Sequence, residues 1–511
     1  MTSAGAVAAP LVVESATGVE VHLRLAGPGA RSLAYVIDWH LRLVLGLSWF
    51  VVAAMTYNGA PSLLPHVVDP SWVAVVAAPA AAIYLLYPCV LELVMRGSTP
   101  GKRMARIRIS ARNGGVPSMG ALLMRNIFRL IDSLPVAYGV GLLAVMLTPE
   151  HVRIGDLAAG TLLVYEDVVP PVARAPAAAA GRTEAPLLRR SSQWYAAAER
   201  AQRLARGRAH DTADAFGALE DYRFLARELG IARRLIPGSS AHEYLETAYA
   251  RVHATVHRSA LHPLRALKAL LADQIPDVVQ ELHTHIAWVS GLLVLSVAAG
   301  FALVHAYPDL IALFASPDMI AATERGELWT AGLLDVAPAS LLSIQVLTNN
   351  VVVSLFAFCA GFLFGLGTFY IVSLNGLTLG AVFALTAQHG LAGQLLAFVL
   401  PHGCVELSVM CVSGAAGAAV GEALIRPTAG TRARSFQFTA LRAGKLLIPC
   451  MLLLAGCGLI EGYVSPEAHL PLWARLLVGL GYWMFMVAWL EGWLFGHRAL
   501  RDRAPLLARP C

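Results

Sequence analysis

Long apolar runs separated by short basic stretches dominate the chain. Two runs, near 33–56 and 72–94, each reach the roughly 20 apolar residues that cross a hydrocarbon core, and they predict a pair of membrane helices. The segment between them, YNGAPSLLPHVVDPS, has no Lys or Arg, whereas RGSTPGKRMARIRISAR after the second carries six. The positive-inside bias therefore puts the N-terminus and this basic loop in the cytoplasm. A third apolar stretch, 118–149, is interrupted at Asp132 and Pro135. Each half, about 15 residues, is too short to span upright, so the stretch predicts a bent hairpin or re-entrant pair.

Three short stretches alternate like half-buried strands: VEVHLRL at 19–25, ARIRI at 105–109 and GTLLVY at 160–165. They pair as one small sheet only if all lie on one side of the membrane, which again favours an even number of crossings before residue 160. Residues 167–192 are Pro/Ala-rich with no apolar period and read as a linker. From 193 to 285 the period becomes helical. Tyr222, Leu225 and Leu229 share one face, and Leu245, Ala248, Val252 and Val256 share another, which predicts a soluble cytoplasmic neck of amphipathic helices.

The remaining chain offers six more spans, near 286–306, 349–372, 375–391, 397–425, 444–463 and 473–495. Residues 307–348 hold only Arg325 and face outward. Arg426, Arg432, Arg434, Arg442 and Lys445 mark an inner loop, and Arg498, Arg501, Arg503 and Arg509 an inner C-terminus.

Composition agrees with this pattern. Of 511 residues 57% are hydrophobic and only 14% charged, with a mean hydropathy of +0.61, as expected of a polytopic membrane protein. The net charge of +6 lies in the loops between spans, so topology accounts for it and no nucleic-acid partner is expected. MTSAGAVAAPLVVES lacks the basic start and continuous apolar core of a cleavable signal peptide. The seven cysteines fall mostly inside apolar runs, without metal-knuckle spacing.

RSLAYVID at 31–38, followed by GSTPGKRMARIRI, RNIFRLIDSLP and RIGDLAAGTLLVYED, resembles the RDD family of small membrane proteins over about 18–166. The resemblance implies RDD-type roles for Arg31 before the first span, Asp38 within it and a second aspartate, either Asp132 or Asp156. That family's molecular function is undefined, with transport of unidentified ligands the usual suggestion. From about 215 to 500 the chain resembles the stage II sporulation protein M family, through NNVVVSLFAFCAGFLFGLGTFYIVSLNGLTLG, PHGCVELSVMCVSGAAG and IEGYVSP in order and spacing. In spore formers this resemblance implies a membrane scaffold for peptidoglycan-remodelling enzymes. In other bacteria it implies association with MoxR-type AAA ATPases and von Willebrand-type adhesion domain proteins.

The residue chemistry centres on the apolar runs. His402 and Glu406 are i and i+4 and stack on one helix face, and the topology puts them near the outer surface with Asn349, Asn350 and Glu461. Pro401 is expected in a first helical turn, where it loses no internal hydrogen bond. A lone carboxylate in hydrocarbon costs about 3 kcal/mol or more, so these groups should face the bundle interior or water. They either hydrogen-bond neighbouring helices or line a ligand, lipid or ion site. His402, Glu406 and Glu461 would supply three metal ligands but fit no established metalloenzyme motif, so no metal, cofactor or catalytic residue is expected.

Gly361 with Gly365, Gly376 with Gly380, and Gly417 with Gly421 are small-xxx-small pairs that let helices approach, within one chain or in a homo-oligomer. Asp38 and Arg42 stand i and i+4, the spacing of an internal ion pair, while Asp38 with Asp132 would suit a proton or cation pathway. The GKRMARIR loop reads as an inner anchor in contact with anionic membrane lipids.

The expectation is an all-α polytopic protein of the bacterial inner membrane with both termini cytoplasmic. Residues 1–166 would form an RDD-like helical unit with a small cytoplasmic β-sheet, 167–192 a linker, 193–285 the helical neck and 286–511 a six-helix membrane bundle. The expected role is a non-enzymatic scaffold organising envelope or peptidoglycan-related enzymes, with a regulatory partner on the neck; the alternative is a transporter or channel for an ion, lipid or small ligand.

Overall fold

The computed structural model describes residues 11–14, 20–59, 62–64, 70–134, 139–166, 190–205, 212–256, 267–329, 339–428, 430–465 and 470–495. Most of the expected linker, 167–189, lies outside the described residues. Among those described, seven helices are long and apolar enough to cross a membrane. They are Pro28–Asn58, Val73–Val94, Leu267–Ala306, Leu366–Gln388, Ala392–Ile425, Arg432–Tyr463 and Leu472–Leu490. The molecule is a multi-pass, all-α membrane protein carrying two small β-ribbons.

The first region is built on Pro28–Asn58 packed against Val73–Val94. After them, Pro100–Met104 tucks under the first helix, because Gly101 leaves room: a Cβ there would fall 2.7 Å from Asp38 Cγ and overlap the Ala34 carbonyl. The stretch at 118–149 forms Met119–Ile127, Arg129–Asp132 and Gly139–Leu147. Nine residues rise only about 14 Å, so none of these pieces crosses a bilayer.

Strand pairing differs from the expected single sheet. Ile107–Ala111 pairs antiparallel with Thr161–Tyr165, but Glu20–Leu23 pairs with Leu11–Glu14 and reaches the other ribbon only through a Leu25–Val164 bridge. A partner separated by only five residues of chain closes with less loop entropy than one about 80 residues away.

Ser191–Ala205, Thr212–Leu235 and Ser240–Val256 form the neck. Trp194, Tyr222, Leu225, Leu229, Leu245 and Tyr249 fill its core, which continues into Leu162 and Val164 of the second ribbon. His253 Nδ1 pairs with Tyr222 OH at 2.9 Å, and its Nε2 lies 2.8 Å from the Asn113 carbonyl.

In the second half, the expected span 349–372 is corrected. The Ala339–Cys359 helix tightens into a 3-10 turn at Ala360–Phe362, Phe364 and Gly365 take left-handed backbone (φ 54° and 83°), and a new helix runs Leu366–Gln388. Glycine tolerates that conformation, and its neighbour is carried with it. Pro401 is also displaced from expectation: it sits inside Ala392–Ile425, not in a first turn. The helix begins earlier than hydropathy suggested, directly after left-handed Gly390.

The two halves share one core. Phe128 packs edge-on against Phe358 at 5.6 Å and Phe436 at 5.7 Å, and Ala121, Met124 and Ala158 lie in the same cluster as Ala440, Leu447 and Val420. Added Cβ atoms at Gly160 and Gly444 would collide with Gln437 and Met124, respectively.

Candidate functional sites

The first region gathers its charges into a buried network at one end of the helix pair. Arg31 Nη1 reaches Asp156 Oδ2 at 3.2 Å, and Arg125 Nη1 holds the other oxygen of the same carboxylate. Arg153 Nε lies 3.4 Å from Asp132 Oδ2 and 3.5 Å from Asp156 Oδ1. Glu92, fully buried, receives Lys102 Nζ at 2.8 Å, Arg129 Nη2 at 3.2 Å and Asn126 Nδ2 at 2.9 Å, with Arg125 Nε 3.4 Å away. Local sequence explains the geometry: Arg125 and Arg129 are i and i+4 on successive short helices, Met119–Ile127 and Arg129–Asp132, joined through the helically bent Phe128.

Burial dominates the electrostatics of these groups. Burial pulls the Lys102 ammonium down to about 8 even with Glu92 beside it, and the Arg125 guanidinium down to about 10. Burial also works to raise the Asp156 carboxyl, but Arg125, Arg153 and Arg31 together hold it below its ordinary value.

Asp38 and Arg42 do not pair. Asp38 accepts hydrogen bonds from Thr99 Oγ1 (2.5 Å), the Gly101 amide (2.9 Å) and Tyr87 OH (3.3 Å). Arg42 lies over the Tyr84 ring at 4.5 Å and the Tyr35 ring at 5.6 Å. Asp38 takes local donors from the tightly packed Thr99–Gly101 turn, which leaves Arg42 to the aromatic faces.

The second half holds a separate cluster between helices. His402, Glu406 and Glu461 place one ligand atom each within 4.8 Å of one another, close enough to share a metal ion. Ser465 Oγ lies 3.0 Å from His402 Nδ1 and fixes the ring, which also meets Phe398 edge-on at 5.7 Å. Asn350 hydrogen-bonds Glu406 from the Ala339–Cys359 helix, whereas neighbouring Asn349 points to an exposed face. His402 lies about 15 Å along its helix from Ala392, so the cluster sits below that helix end and not at it. Beside it a cavity of about 410 Å³ is lined by Asn350, Ser354, Asn375, Thr378 and Glu406 among apolar walls.

Residues 25–160 match the model of the RDD family, and residues 289–466 match that of Stage II sporulation protein M. The chain thus joins a region similar to the RDD family, the RDD region, to a region similar to Stage II sporulation protein M, the sporulation-M region. No curated protein and no solved structure matches it.

Within the RDD region, Arg31, Asp132 and Asp156 meet through Arg125 and Arg153, while Asp38 stands apart in its own hydrogen-bonded pocket. Of the two aspartates left open by sequence, Asp156 is the one bonded to Arg31. Sequence reasoning missed Glu92, Lys102, Arg125, Arg129 and Arg153. The available signal was RNIFR, two arginines one turn apart in an apolar stretch, together with a lone glutamate in the last turn of a span.

Within the sporulation-M region the small-residue pairs lie at helix crossings inside the chain. Gly361 and Gly365 face Gly417 and Gly421 across two helices, and Gly376 and Gly380 abut Leu293 to Phe301 of the Leu267–Ala306 helix. Ser465, Asn375 and Thr378 join the polar cluster and its cavity without having been singled out in the sequence.

Proposed function

We propose that the protein is a scaffold of the bacterial inner membrane, with cytoplasmic termini and neck, that holds envelope or peptidoglycan-related enzymes on its outer side. A MoxR-type AAA ATPase, or a protein with a von Willebrand-type domain, is the regulatory partner proposed for the neck. One observation carries this reading: neck, RDD region and membrane bundle share continuous packing, through Leu162 and Val164 to the neck and through Phe128, Phe358 and Phe436 to the bundle. Such packing supports transmission of an event at the neck to the far side of the bundle, because packed cores shift between discrete arrangements. Cross-linking in native membranes followed by mass spectrometry tests the reading. The expected result is one envelope protein and one cytoplasmic partner, enriched over an unrelated membrane protein at matched expression. Failure to recover either would overturn it.

A second reading, a transporter or channel, is favoured by the cavity beside Glu406, where Asn350, Asn375 and Thr378 offer polar groups between membrane helices. Proteoliposome flux abolished by Glu406→Gln would support it, and silence across monovalent cations, divalent cations and lipid probes would count against it.

A further inference from the structure

A second cavity, about 400 Å³, opens beside the RDD charge network. Its wall includes Arg31, Arg42, Lys102, Arg125, Arg129 and Arg153. Four carboxylates lie among these six cations. Glu92, Asp132 and Asp156 are engaged by the network, and Asp38 is occupied by Thr99, Gly101 and Tyr87. Among the described residues the cluster therefore carries two more positive than negative side chains. Uncompensated charge at such burial is strongly unfavourable, and the compensation that suits it is an anion.

Guanidinium groups with unsatisfied donors line the cavity. Arg42 and Arg125 are only 8% and 3% exposed. Among the described residues Arg31 Nη2, Arg42 Nε and Arg125 Nε are buried with no hydrogen-bond acceptor; Arg125 Nε is 3.4 Å from Glu92 but makes no hydrogen bond to it. Among the described residues Arg42 has no carboxylate within ion-pair reach; its Nη2 donates to Tyr35 OH at 3.3 Å, and the Tyr35 and Tyr84 rings hold its guanidinium plane beside the cavity. Planar guanidinium groups converging on one space match the geometry of phosphate oxygens. Ser32, Asp38 and Tyr87 also line the wall, Asp38 already engaged by its own donors, and Val36, Trp39, Pro88, Leu142 and Val145 give it an apolar part, which suits the glycerol and acyl portion of a lipid as well as a free ion.

We propose that this cavity binds a phosphate-bearing anion through Arg31, Arg42 and Arg125. The site is independent of which partner the bundle holds, because its donors all belong to the RDD region. The phosphate comes either from an anionic lipid headgroup entering from the membrane or from free inorganic phosphate.

The test uses the full chain in two arms. In nanodiscs of zwitterionic phosphatidylcholine, thermal unfolding is followed as phosphatidylglycerol replaces part of the lipid. In detergent without added lipid, it is followed against inorganic phosphate, with chloride at equal ionic strength as control. Arg42→Gln is the decisive variant, because removing Arg42 strips no carboxylate of its partner and leaves the network folded. Arg426→Gln, at an arginine whose side chain is 81% exposed, controls for loss of one positive charge. A stabilising shift with phosphatidylglycerol alone identifies a lipid site, and a shift with phosphate identifies a free-anion site. In either case half-maximal stabilisation should need at least tenfold more ligand in Arg42→Gln and be unchanged in Arg426→Gln. No shift in either arm, or equal shifts in wild type and Arg42→Gln, would overturn the proposal.

Discussion

Arg31 and Asp156, 125 positions apart in the chain, form an ion pair at 3.2 Å whose second carboxylate oxygen is held by Arg125. The pair closes the RDD region, tying the start of the first span to the short Ile154–Ala159 helix. Removing one partner of a buried pair leaves its counter-charges unpaired and costs about 3–5 kcal/mol. Asp156→Asn should therefore lower the unfolding temperature substantially above pH 4.

The same carboxyl sets a pH dependence. Its folded value lies below the ordinary carboxylate range, so its stabilising contribution is complete above the unfolded value near 4 and is lost as pH falls through the folded one. The difference in unfolding temperature between wild type and Asp156→Asn should shrink on acidification below pH 4, because a protonated aspartic acid approaches asparagine in charge. A difference that stays constant with pH would show that charge is not what Asp156 contributes.

Helix crossings in the second half depend on backbone contact. A Cβ at Gly380 would collide with the Val297 carbonyl oxygen, and one at Gly361 with that of Gly417; Gly291 has open space around its Cβ position. Gly380→Ala and Gly361→Ala should each destabilise by about 1–3 kcal/mol through overpacking, while Gly291→Ala is neutral or slightly stabilising. Thermal unfolding in one detergent, across the three variants, checks the order.

Hydropathy located the membrane segments but not every turn between them. The run FCAGFLFGLG is apolar throughout, so no polar residue marks the break at Phe364 and Gly365 that separates two helices. Pro401 misled in the opposite direction, since it resembles a helix start yet lies within Ala392–Ile425. Arg31 and the two alternative aspartates were legible through family resemblance, but their pairing is tertiary, and no spacing distinguishes Asp156 from Asp132. Glu92 escaped notice because a glutamate beside a basic loop reads as solvated, when in the folded chain Lys102, Arg125 and Arg129 bury it completely.

A shared core predicts that the halves stay together without a covalent link. A protease site inserted between residues 167 and 189 should, after cleavage in detergent, give two fragments that co-elute in size exclusion. Phe128→Ala combined with Phe436→Ala removes the aromatic contacts at the junction, at about 3–5 kcal/mol per buried ring, and should release them. Fragments that part in the unmutated protein would refute the single-body arrangement and, with it, the support for coupling between neck and bundle.

Asn349 and Asn350 are adjacent in sequence and opposite in role. Asn350 hydrogen-bonds Glu406 across a helix interface, whereas Asn349 faces outward. Hydrogen bonds between membrane helices contribute about 0.6 kcal/mol on average and up to about 1.7, and a carboxylate left without its donor adds a desolvation cost. Asn350→Leu should therefore destabilise by about 1–3 kcal/mol, and Asn349→Leu by less than about 0.5 kcal/mol, in line with exposed substitutions elsewhere. Reversible unfolding in mixed micelles measures both. Equal losses at the two positions would mean that the Asn350 contact does not hold the polar cluster together, and His402 and Glu461 would then have to organise Glu406 without it.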